Sequence, residues 1–213
     1  MNNHASAKFE KDVGQRTTHR VIAHSAINNI PSNLSISELT NEKTTYLIWG
    51  PHHDVRSSGS AYKWALRTHD FVADHRTPNV KVFIVGSKNT TNYFDGIWEE
   101  ERGVNRTTTS TWLSTGFFTM VTALNICDQV TLFGFVKRTD CAMEKQGYKY
   151  HYDQKRDTPT ACSEMMTHQN SRKNSHAFFT EREIFHRWSQ FRKIDFKVPE
   201  WKDDDGANVT SKL

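Results

Sequence analysis

Long apolar runs are missing from this 213-residue chain, so no stretch reads as a membrane span, and the amino terminus does not read as a signal peptide. A glycine-rich phosphate loop of the P-loop or dinucleotide-binding kind is missing too. Basic residues form no run interleaved with aromatics, and the net charge of +4 is mild. That argues against a nucleic-acid partner and suits an anionic small molecule. Metal-ligand spacing is absent: His52 and His53 have no companion cluster, and Asp203, Asp204 and Asp205 read as a solvated run in a charged tail. With no repeat, low-complexity tract or linker, one domain or most of one is expected. Hydrophobic content is only 36%, yet six Trp and thirteen Phe supply large apolar surface for a core.

Cysteine is scarce and odd in number. Cys127, Cys141 and Cys162 leave one thiol without a partner inside the chain if the compartment is oxidising. Four glycosylation sequons begin at Asn33, Asn89, Asn105 and Asn208, and these matter only in the secretory pathway. A piece of protein outside the sequence would reconcile the odd cysteine with the lack of a leader.

What is present alternates between strand and helix. Residues 18–27 and 44–50 read as strands, and 80–87 as the clearest buried strand. A moderately amphipathic helix is expected after Gly59, mostly loop with one short helix over 88–111, and polar irregular chain from Lys137 to Ser175. Leu113, Phe117, Val121 and Leu124 recur at helical steps, and Val130–Phe135 follows as a buried strand. A second helix is expected from about Glu181 to Lys193, with Ile184, Trp188 and Phe191 on one stripe and Thr180 with Glu183 as a capping box. "KIDFKVPEW" reads as a last strand. Alternation of this kind predicts an α/β fold with a parallel sheet.

Three small residues, Ser114, Thr115 and Gly116, open the first of those helices. They leave backbone N–H groups approachable, which either receives an anion or merely caps a core helix. His176 lies in the loop feeding the second helix, whose positive end favours a neutral ring suited to a general base; the alternative is a solvated histidine beside a cap. Glu181, in the first turn, is placed to orient a neighbouring backbone or ring. His151, in "YKYHYDQ", either donates to a phosphate or belongs to a tyrosine-rich loop that stitches two layers together.

Taken together, these stretches resemble the animal sialyltransferases that use CMP-sialic acid. "STGFFTMVTALNICDQVTLFGF" is similar to that family's small motif, "YHYD" to its third motif, and "HAFFTE" to its very small motif, in the family's order. "MNNHASAKFEKDVGQRTT" resembles the second half of the large motif. "FEKDVGQRTTHRVIAHSA" and "YLIWGP" look closest to the branch adding α2,6-linked sialic acid to N-acetylgalactosamine.

The resemblance implies a Rossmann-like, mostly parallel sheet flanked by helices, a variant GT-A fold whose first strand is missing from this chain. Residues 1–201 would form the catalytic domain, incomplete at its start, and 202–213 a polar tail. It implies inverting, metal-independent transfer with no cofactor, from the donor CMP-sialic acid to the 6-hydroxyl of N-acetylgalactosamine. Sialylated Gal-GalNAc glycans would be the acceptors, on glycoproteins or gangliosides. His176 would be the general base and His151 would steady the phosphate. Ser114, Thr115 and Gly116 would receive phosphate and carboxylate, Asn2 would touch the nucleotide, and Glu181 would complete the binding residues. Cys141 would bond to Cys162, leaving Cys127 to a cysteine outside the sequence. The full-length protein would be anchored in the Golgi membrane and face the lumen. A non-catalytic fragment, or a carbohydrate-binding protein without turnover, are the competing expectations.

Overall fold

A computed structural model describes residues 9–27, 43–51, 55, 59, 62–66, 70, 80–142, 149–154, 159–171 and 175–197. Three β-branched and aromatic segments, β1 (His19–Ala23), β2 (Thr45–Trp49) and β3 (Lys81–Val85), pair in parallel with β2 central. Their register is in line, from His19–Thr45–Lys81 to Ala23–Trp49–Val85. Two further strands, β4 (Val130–Phe133) and β5 (Ile194–Lys197), pair in parallel with Val130 opposite Ile194. The α/β class with helices flanking parallel strands is therefore present, arranged among the described residues as two small sheets. A parallel bridge between Thr111 and Ser175, with the Trp112 N–H donating to the Ser175 carbonyl at 2.8 Å, adds a further pairing.

Helix α1 (Lys88–Arg102) takes up most of 88–111, where mostly loop with one short helix was expected. Thr and Asn in its first turns hide the helical signal, because both compete for backbone hydrogen bonds. The Ser87 hydroxyl accepts from the Thr90 N–H at 3.2 Å, Phe94 and Trp98 bury one face, and Gly103 closes the end at φ 66°. That left-handed conformation strongly favours glycine. Helix α2 (Thr115–Ile126) follows its expected pattern, with Ser114 as cap and Phe117, Phe118, Met120 and Val121 buried.

The stretch 137–175, expected to be irregular, contains α3 (Arg138–Ala142) and α4 (Ala161–Asn170), joined by the Cys141–Cys162 disulfide. Neither is long enough to announce itself by periodicity, and α4 is started by the Thr160 hydroxyl accepting from the Ser163 N–H at 3.2 Å. Cys127 is free and exposed.

Helix α5 (Phe178–Ser189) starts three residues earlier than expected and has no capping box. Its orphan amides are met from another element: the Gln169 side chain on α4 accepts from the Phe179 N–H at 3.1 Å and donates to Thr180 Oγ1 at 3.2 Å. Glu183 stays exposed, and Phe191 lies beyond the helix and is 69% exposed rather than on the buried stripe.

Three strands also differ. Strand β4 ends at Phe133, which is 67% exposed, and only Leu132 of it is buried, where a buried strand to Phe135 was expected. Residues 24–27 leave β1 as a helical turn, and β3 is an edge strand on which Phe83 is 51% exposed; the buried strands are β1 and β2. The expected helix after Gly59 is seen over 62–66, the rest lying outside the described residues.

The main core gathers Ile22, Tyr46, Ile48, Phe117, Ile184 and Phe185, all essentially inaccessible, from both sheets' flanking helices and strands. A smaller one, with Val136, Cys162, Met165 and Phe179, fastens α4 to α5. Where β2 and β3 end, glycines allow close approach: a Cβ at Gly86 would lie 2.8 Å from the Gly50 carbonyl oxygen, and one at Gly50 would lie 2.7 Å from the His24 side chain. Trp49, the last residue of β2, stacks on Phe118 with ring centroids 3.9 Å apart and donates from Nε1 to Thr115 Oγ1 at 3.3 Å. The carboxyl ends of β1 and β2 are thus tied to the start of α2, the end of a parallel sheet where open α/β folds bind ligands.

Candidate active site

The starts of α2 and α5 meet through one carboxylate. Glu181, in the first turn of α5, is 2% exposed and accepts from the Ser114 N–H at 2.8 Å and from the Ser114 hydroxyl. That hydroxyl in turn accepts from the Phe117 N–H at 3.1 Å. Burial pushes the Glu181 carboxyl up to about 7, although both Ser114 hydrogen bonds pull the other way. The Arg182 charge also pulls it down, but less than burial pushes it up, so desolvation wins. Glu181 therefore orients a backbone, one of the two roles its position suggested. In doing so it fills part of the anion site expected at Ser114. Thr115 and Gly116, as the first residues of the helix, keep amides without intrahelical partners.

His176 precedes α5 by two residues and is fixed by its Nδ1, 2.8 Å from the Trp112 carbonyl oxygen. A peptide carbonyl only accepts, so Nδ1 carries the hydrogen and Nε2 keeps its lone pair on the neutral ring. Burial lowers the pKa of the ring, the Trp112 bond raises it, and His168 lowers it again. The cause of neutrality is mainly desolvation, where the sequence suggested the helix end. His168, from the last turn of α4, stacks on His176 with centroids 5.5 Å apart, and Phe178 packs against both rings.

Trp112 is itself held in place. Arg106 pairs with Asp95 through Nε and through Nη2 at 2.9 Å, donates from Nη1 to the Thr111 carbonyl at 2.8 Å, and lies over the Trp112 ring.

Ser114, Thr115, Gly116, His151, His176 and Glu181 all line one open cleft of about 600 Å³. Ser25 and Ala26, in the turn after β1, line it as well. His151 packs against Tyr150 with centroids 4.3 Å apart, and its backbone N–H donates to Gln154 Oε1 at 3.1 Å. Burial pushes the Tyr150 hydroxyl up to about 12, so it stays protonated. Asn2 lies outside the described residues.

Sequence reasoning did not single out His168, Arg182 or the Trp112 carbonyl. His168 escaped because α4 was not expected, and a carbonyl carries no sequence signal. Arg182 was legible as the residue following Glu181 on a helix whose first turn already mattered.

The model of glycosyltransferase family 29, the sialyltransferases, matches residues 1–190. The rat protein "Alpha-N-acetylgalactosaminide alpha-2,6-sialyltransferase 3" is 31% identical over 207 residues, covering 94% of this chain and 64% of that protein. The human "Alpha-N-acetyl-neuraminyl-2,3-beta-galactosyl-1,3-N-acetyl-galactosaminide alpha-2,6-sialyltransferase" is 31% identical, with 96% and 66% covered. The bovine "Alpha-N-acetylgalactosaminide alpha-2,6-sialyltransferase 6" is 31% identical, with 94% and 60% covered. The chain thus spans about two thirds or less of the length of these relatives. No solved structure matches. With the family model covering most of its length, the chain belongs to glycosyltransferase family 29, the sialyltransferases.

Proposed function

We propose that this chain carries the catalytic machinery for moving sialic acid from CMP-sialic acid to the 6-hydroxyl of N-acetylgalactosamine in sialylated Gal-GalNAc glycans. The observation that carries the reading is the arrangement of His176: a ring fixed by its Nδ1–H on the Trp112 carbonyl, in the same cleft as the Thr115–Gly116 helix opening. The names of the relatives supply the linkage and the acceptor.

In the transfer, Nε2 of His176 takes the proton of the acceptor's primary hydroxyl as that oxygen bonds to the anomeric carbon. The bond from the anomeric carbon to the phosphate oxygen breaks, and CMP leaves with the electron pair. Attack opposite the leaving group inverts the anomeric centre. Positive charge develops on the sugar and negative charge on the phosphate, so donors already aimed at the phosphate lower the barrier most. The amides of Thr115 and Gly116 have that role here, with His151 steadying the phosphate. No metal or cofactor enters this reading. The Cys141–Cys162 disulfide and the exposed sequon asparagines Asn89 and Asn105 support a lumenal, Golgi setting.

Transfer of radiolabelled sialic acid from CMP-sialic acid to a sialylated Gal-GalNAc acceptor tests the proposal. His176→Ala is expected to lower turnover roughly 100-fold or more, the scale of a lost general base. Near-normal turnover would remove His176 from the role, and no transfer by the unaltered chain would count against the activity itself.

A further inference from the structure

The donor of the proposed reaction carries two anionic groups, the phosphate and the sugar's carboxylate, and the helix opening cannot take both. Glu181 occupies the Ser114 N–H and hydroxyl, which leaves the amides of Thr115 and Gly116 for one group. The other needs a different partner.

Arg182 is the one permanent cation among the described residues that line the cleft. Its Nη1 donates to the Val136 carbonyl, the only hydrogen bond the guanidinium makes among the described residues. Its plane is braced by Phe135, with Cζ 5.2 Å from that ring's centroid. A guanidinium has five N–H donors, so four remain. Burial lowers the group only to about 10, so it is charged at neutral pH. Glu181 next to it is about half protonated there, and cancels only part of that charge.

Resting on the donor assignment above, we infer that Arg182 binds the carboxylate of the donor's sialic acid through its free N–H edge. The residue then determines specificity: it separates a nine-carbon acidic sugar from a neutral one, while the α2 opening reads the phosphate. A planar fork matches the two carboxylate oxygens, a fit that an ammonium cannot reproduce.

Calorimetric titration of the 213-residue chain with CMP-sialic acid and, separately, with CMP tests this. Arg182→Gln is expected to weaken CMP-sialic acid roughly ten- to hundredfold, the scale of a lost charged hydrogen bond, and to leave CMP unchanged. Retained CMP binding also reports that the variant is folded. Arg182→Lys, which keeps charge without the fork, is expected to fall between the two. An equal loss for both ligands would assign Arg182 to the phosphate or to the fold and overturn the inference, as would no loss for either. If the unaltered chain binds CMP but not CMP-sialic acid, the donor assignment itself fails, and this inference with it.

Discussion

Glu181 is a carboxylate buried where its charge is poorly compensated, and that gives a pH dependence of unusual sign. Its pKa rises from 4.5 to about 7 on folding, so the folded chain holds the proton more tightly than the unfolded one. Stability therefore falls as pH rises from about 4.5 to 7 and levels off above, by on the order of a few kcal/mol. Glu181→Gln keeps an acceptor for the Ser114 N–H and carries no charge. Its thermal midpoint is expected to lack that decline and to exceed the unaltered chain's above pH 7; parallel declines in both proteins would assign the slope to other groups. His176 works in the opposite sense, because desolvation lowers its pKa and keeps the ring neutral at physiological pH. The motif residues were legible because each is a side chain with its own chemistry. The Trp112 carbonyl that fixes the tautomer was not, since backbone geometry arises only once Thr111 pairs with Ser175.

Among the elements, α1 does more than its sequence announces. Glu101 near its end accepts from Trp188 Nε1 and, at 2.6 Å, from Arg187 Nη2, tying α1 to the end of α5. Glu101→Ala leaves the Trp188 N–H without its acceptor and is expected to cost about 1–3 kcal/mol in denaturant unfolding. An unchanged midpoint would mean that water replaces the carboxylate freely. The same helix shows why legibility varied. Periodic apolar stripes revealed α2 and most of α5, whereas α1 begins with Thr and Asn and is held by Ser87 and Gly103 at its ends. Helix α4 depends on the disulfide and on its packing against α5, which are tertiary facts. The capping box failed for a related reason: the α5 start is satisfied by Gln169 of α4, a residue nine positions before Phe178 and invisible to a local rule.

For the whole molecule, the parallel α/β class followed from strand–helix alternation, while its division into a three-stranded and a two-stranded sheet did not. Pairing partners 64 residues apart, such as Val130 and Ile194, leave no local pattern. The two sheets and their flanking helices share one core, and the cleft opens where β1 ends and α2 and α5 begin. A second crevice, lined by Trp49 and Trp112, is apolar and only about 40 Å³, far too small for a nucleotide sugar.

In the proposed reaction the α2 opening and the His176 ring face the same bound donor. Chemical-shift mapping of the isotope-labelled chain on addition of CMP-sialic acid tests it most directly. The largest changes are expected at the Thr115 and Gly116 amides and the His176 ring, saturating together. Saturable binding that leaves those three unmoved and perturbs another face would contradict it.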